Sequence, residues 1–417
     1  MFASKLRSVR GVVAAGLVLA LAGGTAAGDW PNFNGPARDG HAPDTGLTWK
    51  WPADGPPVAW KRDAGAGFAG VAVSGGVAFL FNRVGADEVL VALDAATGAE
   101  KWKSVARTRY VDDFGFDDGP RCVPVAAGGR VFTLGADGDL RAVEAATGKE
   151  LWQRNLLTAY HARKGYFGAG TGPIVVGDRL LVNAGGKGAG VVGLDPATGK
   201  ELWKATDDGP SYSSPTPITV GGKACAAFFT RAGLVVVDAA DGTVKATKGW
   251  RARIDASVNA ASPVVRGDEV FLSSSYGTGA ILLKLKGAEP EEVWSGDRSL
   301  SCHYNTPVLV GDYLYGIDGR QEGGAARLRC VEWKSGDVKW SVDRFGCASL
   351  IAVDGGLLAV TDGGELVRFS ATEKEYQEVS RAKLLDAPCR AAPALADGRL
   401  YVRDEKRLLC VRLKETK

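Results

Sequence analysis

Four carboxylates fall within seven residues in the segment "DDFGFDDG": Asp112, Asp113, Asp117 and Asp118. Clustered carboxylate oxygens can hold a hard cation such as Ca²⁺. The spacing is not that of an EF-hand, and an acidic loop is also an ordinary solvated loop, so both readings stay open. The three histidines, His41, His161 and His303, are far apart in the chain. They carry no local two-histidine metal signature and read as surface or loop residues. The glycine cluster "GGKGAG" at 185–190 looks like a phosphate loop, but it lies between two apolar runs instead of opening a helix, so it reads as a hairpin loop. Seven cysteines (122, 225, 302, 330, 347, 389 and 410) include no adjacent pair and no C-x-x-C. Zinc-ribbon and haem-attachment spacings are therefore excluded, and at least one thiol is left over from any set of disulfides.

No local motif nominates a catalytic centre, so the question passes to the elements that present these residues. Residues 1–27 have a basic start (Lys5, Arg7, Arg10), an apolar run over 11–24 and small residues at 25–27. This is the pattern of a secretory leader, and the run is shorter than the ~20 residues a membrane helix needs. No cysteine follows it, so a lipoprotein anchor is not expected, and the mature chain is expected in the periplasm or another extracytoplasmic compartment, without a membrane span. Three of the 51 basic residues and none of the 48 acidic ones lie in this segment. The remainder carries no net charge and offers no global field for nucleic acid.

Two phrases recur. One is an apolar strand, a glycine-containing two-residue turn and a second apolar strand, with turns at Gly75-Gly76, Gly128-Gly129, Gly177-Asp178, Gly221-Gly222, Gly267-Asp268, Gly311-Asp312, near Gly355 and near Gly398. Such pairs reach the positive φ angles that tight hairpins need. The other phrase is "ALDAATGAEKW" (92–102), repeated as "AVEAATGKELW" (142–152) and "GLDPATGKELW" (193–203), then in worn forms to the C-terminus. The last copy lacks its tryptophan, and Trp60 in "PPVAWK" is spare at the front. The Leu408–Leu413 strand is therefore expected to pair with Val58–Lys61. Both counts give eight units of about 45 residues with four short strands each, which predicts an all-β, eight-bladed propeller closed by strands from both termini. The expected organisation is a leader (1–27), an arm anchored by Trp30, Phe33 and Trp49 (28–57), and the propeller (58–417).

Within the eleven-residue phrase, Asp94 and Asp195 can accept backbone hydrogen bonds from the next turn. Gly98, Gly148 and Gly199 supply the turn conformation. Trp102, Trp152 and Trp203 can each seal one blade against its neighbour. The phrase reads as a structural latch. Function is then expected on the long connections leading into each inner strand, which gather around the channel. The binding rim so predicted comprises Tyr110, Asp112, Asp113, Asp117, Asp118, Arg121, His161, Tyr166, Tyr212, His303, Tyr304 and Asn305, with Tyr160, Arg163 and Asn259 on the same segments. The competing reading is that these residues only satisfy turn backbones. Cys347 and Cys389 precede neighbouring inner strands, so a disulfide between them is conceivable. Cys330 and Cys410 occupy the Ala92 slot two blades apart, too far to bridge, and are expected as buried thiols.

The pattern A-x-D-x-x-T-G-x-x-x-W resembles the tryptophan-docking motif of the PQQ-type propeller repeats, and "DWPNFNGPARDG" resembles the leading arm of such chains. That family contains the quinoprotein alcohol and glucose dehydrogenases. It also contains the non-catalytic lipoprotein of the outer-membrane β-barrel assembly machine. The dehydrogenases imply a vicinal Cys-Cys disulfide under the quinone, a calcium site on a channel-facing segment and a longer chain, none of which is found here. The resemblance is nearer to the assembly-type protein. The reading is a monomeric, non-catalytic scaffold that binds a protein or peptide, with no cofactor, no metal site and no nucleic acid. A PQQ-dependent oxidoreductase with an atypical site and a carbohydrate-binding module stay open as alternatives.

Overall fold

The computed structural model describes residues 28–414 apart from 53, 256, 323 and 387, so the expected leader lies outside the described residues. Eight four-stranded antiparallel sheets follow one another in chain order. Blade 1 is Val71–Ser74, Val77–Val84, Asp87–Asp94 and Glu100–Arg107, counted from the inner strand outward. The eighth blade takes Ala394–Ala396, Arg399–Arg403 and Arg407–Arg412 from the C-terminal end and Val58–Asp63 from the N-terminal end. Trp60 pairs with Cys410 and Lys61 with Leu409, which is the closure expected from the spare tryptophan.

The eight inner hairpins turn where the glycine pairs predicted. At Gly75-Gly76 both φ angles are positive (58° and 73°), as a type I′ turn requires, and Asp354-Gly355 (50° and 73°) behaves likewise. Among the described residues the one departure from strands and turns is a five-residue helix, Leu156–Tyr160, inside a connection read as plain loop. Asn155 caps it by accepting from the Thr158 amide.

The latches operate across blade boundaries. Each tryptophan indole donates to a turn carbonyl of the next blade: Trp60 to Ala95, Trp102 to Ala145, Trp152 to Pro196 and Trp203 to Ala239, all at 3.1 Å. Trp294 and Trp340 do the same to Trp333 and Thr372 at 2.8 Å. The ring lies flat against the glycine of the next T-G pair: a methyl group on Gly199 would sit 2.6 Å from the Trp152 ring. Asp94 and Asp195 each accept two turn amides and the threonine hydroxyl. Across the strand pair the tryptophan faces a small residue, Ala92, Ala142, Gly193, Cys330 or Cys410, except Trp294, which faces Leu282. This places Cys330 and Cys410 as buried thiols.

Two blades depart from the latch. In blade 4 the slot holds Ala246, opposite Val236, and Trp250 stands four residues further on. In blade 7 it holds Ser380, opposite Arg368. There the arm supplies the missing ring. Trp49 stacks on the fully buried Arg368 guanidinium, and Ser380 Oγ donates to the Trp49 carbonyl at 2.6 Å. Upstream, the arm runs across the channel. Trp30 bridges Val73 of blade 1, the Pro31 carbonyl accepts from Ala126 of blade 2, Arg38 reaches the carbonyls of Pro173 and Pro215, and His41 contacts Leu309 and bridges Ala352. Trp30 and Trp49 are thus anchors as expected, whereas Phe33 is only half-buried and faces the channel.

Candidate functional site

The segments leading into the inner strands surround a cavity of about 230 Å³ at one mouth of the channel. The arm contributes Phe33 and Asn34 to its lining. Its walls include Phe68 before blade 1, Phe116, Arg121 and Val123 before blade 2, Phe167 before blade 3, Tyr212 before blade 4, His303–Thr306 before blade 6, and Arg390 before blade 8. Each blade contributes because its inner strand begins here, so the site is a by-product of ring closure.

Five of the predicted rim residues line this cavity: Arg121, Tyr212, His303, Tyr304 and Asn305. Tyr212 Oη accepts from the Phe167 amide at 2.7 Å, and burial pushes its phenol up to about 12. The His303 Nε2–Tyr276 Oη distance is 2.9 Å, and burial pushes the imidazole down to about 4, so it is neutral at ordinary pH.

The acidic run does something else. Asp112 is buried, pairs with Arg121 at 2.7 Å and accepts the Phe114 amide. Asp117 accepts the amides of Gly67 and Gly119, and Asp118 accepts the Asp112 amide. Asp113 is exposed and paired with Lys164. Asp112 and Asp117 thus meet at the Arg121 guanidinium, which neutralises them, while Asp118 and Asp113 are engaged elsewhere. Among the described residues no group of three or more His, Cys, Asp or Glu is placed to hold a metal. Tyr110 packs under the Arg121 and Lys164 side chains behind the wall. His161 ends the short helix in a left-handed conformation, does not line the cavity and is exposed. Asn259 satisfies the Thr230 and Trp250 carbonyls, as the turn-backbone reading held. The conceivable Cys347–Cys389 disulfide is not formed. All seven cysteines are buried free thiols, and the Cys389 thiol instead donates to the Asp386 carbonyl at 3.2 Å.

What the sequence reading missed is aromatic. Phe114, Phe116 and Phe167 were not named, and they stack with one another and with Tyr166, which was placed on the rim, at ring-centroid distances of 5.4–6.4 Å. Phe114 and Phe116 stay 55% and 49% exposed at the mouth. Val111 (61%) and Ile254 (52%) are also exposed, and Tyr166 Oη ties the aromatic group to the Asp255 carbonyl. The signal lay in "DDFGFDDG" itself, where the phenylalanines sit between the two pairs of carboxylates that drew attention. Arg390 could have been found by extending the lead-in rule to "CRAAP" of blade 8.

The lining does not fit a quinone with calcium. The cysteines offer no vicinal pair, and Glu322, a carboxylate in the lining, is held by Arg320 at 3.0 Å. No helix of the described residues is long and apolar enough to cross a membrane.

No curated protein sequence matches the chain. Among solved structures it is similar to BamB from Moraxella catarrhalis (15% identity, TM-score 0.58, covering 86% of this chain and 99% of that one). It is also similar to quinohemoprotein alcohol dehydrogenase from Comamonas testosteroni (15%, 0.53, 93% and 81%) and to the computationally designed Ika8 protein (12%, 0.56, 86% and 100%). At these identities the likeness concerns the fold, which an enzyme, an assembly factor and a design share. The family model described as "Outer membrane protein assembly factor BamB" matches residues 44–213, 86–342 and 324–415, and the chain therefore belongs to this PQQ-type propeller repeat family.

Proposed function

We propose that this chain is a non-catalytic propeller scaffold of an extracytoplasmic compartment that binds a protein or peptide segment at the aromatic channel mouth, in envelope or outer-membrane protein assembly. The observation that carries the reading is the cluster of exposed Phe114, Phe116, Val111 and Ile254 around a preformed apolar cavity. A contiguous exposed apolar patch on a rigid frame marks an interaction site more readily than a solvated loop does. The titratable groups nearby are already committed. Asp112 and Asp117 hold Arg121 and loop amides, Glu322 holds Arg320, and His303 is kept neutral. Such groups build a surface and are poorly placed to move protons or bind a cation, so no cofactor is assigned. The leader pattern and the family membership support the compartment.

The test is site-specific photocrosslinking in envelope preparations, with the probe at Phe114, Phe116 or Ile254 and, as control, at Ala146 on a latch turn. The reading expects crosslinks to defined proteins from the first three positions, those from Phe114 and Ile254 being lost on Phe116→Asp. Equal crosslinking from Ala146 would sink it. So would alcohol- or aldose-dependent dye reduction by the purified protein with PQQ and Ca²⁺.

A further inference from the structure

Two arginines line the cavity, and they are held in different ways. The Arg121 guanidinium donates to Asp112 and to the Asp117 and Gly119 carbonyls, so its charge is neutralised inside its own loop. Among the described residues Arg390 has one hydrogen bond, from Nε to Gln321 Oε1 at 3.0 Å. Its guanidinium lies over Phe68 (5.2 Å) and Phe116 (5.6 Å), and among the described residues it pairs with no carboxylate. Its two terminal nitrogens have no partner there and are not buried. A guanidinium held against aromatic rings keeps its orientation and is weakly hydrated. The free edge of that fork matches a carboxylate with two parallel N–H donors. The carboxylate already in the wall, Glu322, is held by Arg320.

The cavity wall also carries the apolar side chains of Phe33, Phe116, Phe167 and Leu350, beside neutral polar ones such as Asn34, Asn305 and Gln321. An aromatic-walled cavity with one uncommitted planar cation at its edge complements an apolar body that carries an anion close by.

We propose that the channel mouth recognises a segment in which an aromatic side chain lies next to a carboxylate, the ring entering the cavity and the carboxylate pairing with Arg390. This rests on the peptide-binding reading of the same site. The carboxylate has two possible sources, an Asp or Glu side chain or the free C-terminus of a chain ending in an aromatic residue.

Fluorescence anisotropy on the full mature chain tests it with dansyl-labelled peptides. One pair is Gly-Ser-Phe-Asp-Gly-Ser-amide and its Asn counterpart. The other is Gly-Ser-Gly-Phe as free acid and as amide. The proposal expects the anionic member of at least one pair to bind about tenfold tighter at low salt, the range of a charge-assisted hydrogen bond. The pair that discriminates identifies the source. Arg390→Met should bring the two members together, and Arg390→Lys should restore part of the difference. Thermal unfolding of each variant, expected near wild type because Arg390 is half-exposed, confirms that it is folded. Equal binding of both members in both pairs overturns the proposal and leaves peptide binding standing, as does discrimination that survives in Arg390→Met. If no peptide binds at all, both fall.

Discussion

Alanine at Gly199 tests the claim that the repeated phrase is a latch between blades. Gly199 and Gly76 both have left-handed backbones, with φ of 68° and 73°. A side chain there costs about 1 kcal/mol in backbone strain at either position. At Gly76 the new methyl meets nothing within 4 Å. At Gly199 it lands 2.6 Å from Trp152 Cε3 and 2.7 Å from Cδ2. Ordinary carbon contacts need about 3.5 Å, so the indole must retreat by roughly 1 Å. That movement draws Nε1 off the Pro196 carbonyl, now at 3.1 Å. The lost bond costs about 1 kcal/mol and the overpacking about 1–3 kcal/mol. Gly199→Ala should therefore destabilise by about 4 kcal/mol against about 1 for Gly76→Ala. At roughly 1 °C per kcal/mol for a chain of this size, calorimetry should resolve the two shifts. In a Trp152→Ala background the Gly199→Ala penalty should fall to that of Gly76→Ala. Equal shifts in the two single variants, or a Gly199→Ala penalty undiminished without Trp152, would refute the latch.

The borrowed ring in blade 7 makes a related prediction. Trp49→Ala should cost about 3 kcal/mol by urea unfolding, and clearly less in an Arg368→Met background, where no buried guanidinium is left uncovered; additive losses would contradict this. Asp112→Asn breaks the buried pair with Arg121, and amide exchange across 108–121 should accelerate at least about tenfold while distant blades keep their protection. Burial raises the Glu88 carboxyl to about 7, with its Oε1 accepting the Ala136 amide at 3.0 Å. The folded state then holds a proton that the unfolded state releases near 4.5. The contribution of Glu88 to stability is therefore fully present below that pH, falls by on the order of 3 kcal/mol as pH rises to about 7, and is level above. Glu88→Gln should gain on wild type across that window, and a constant difference from pH 5 to 8 would count against the assignment.

The ring was legible because its devices are local and repeated. A Gly-Gly turn and a tryptophan eleven residues into a phrase each constrain structure within a few ångströms of themselves, and eight copies correct one another. The worn copies were less legible. Nothing in "EVSRAK" announces that Ser380 will bind the backbone of Trp49, because that contact joins residues 331 apart in the chain. The site was half legible for the same reason. The lead-in rule located Arg121, Tyr212 and His303–Asn305, which the fold carries to the mouth automatically. It could not say which side chains turn inward. Asp112 looked functional from its charge, yet its partner is Arg121, nine residues along. Phe116 looked incidental and became part of the wall.

Closure of the eighth blade also has a consequence in time. Val58–Asp63 is among the first strands to be made, and its partner Arg407–Arg412 is among the last. Until Arg407–Arg412 has been made, the early strand has an unpaired edge and Trp60 lacks its own sheet behind it. A ring whose clasp joins its oldest and newest segments cannot shut domain by domain, and contacts of such long sequence separation form slowly. The hazardous interval for this ring is therefore the one just before Arg407–Arg412 is made, when seven blades stand open at both ends and a neighbouring chain can offer its own closing strand to the gap.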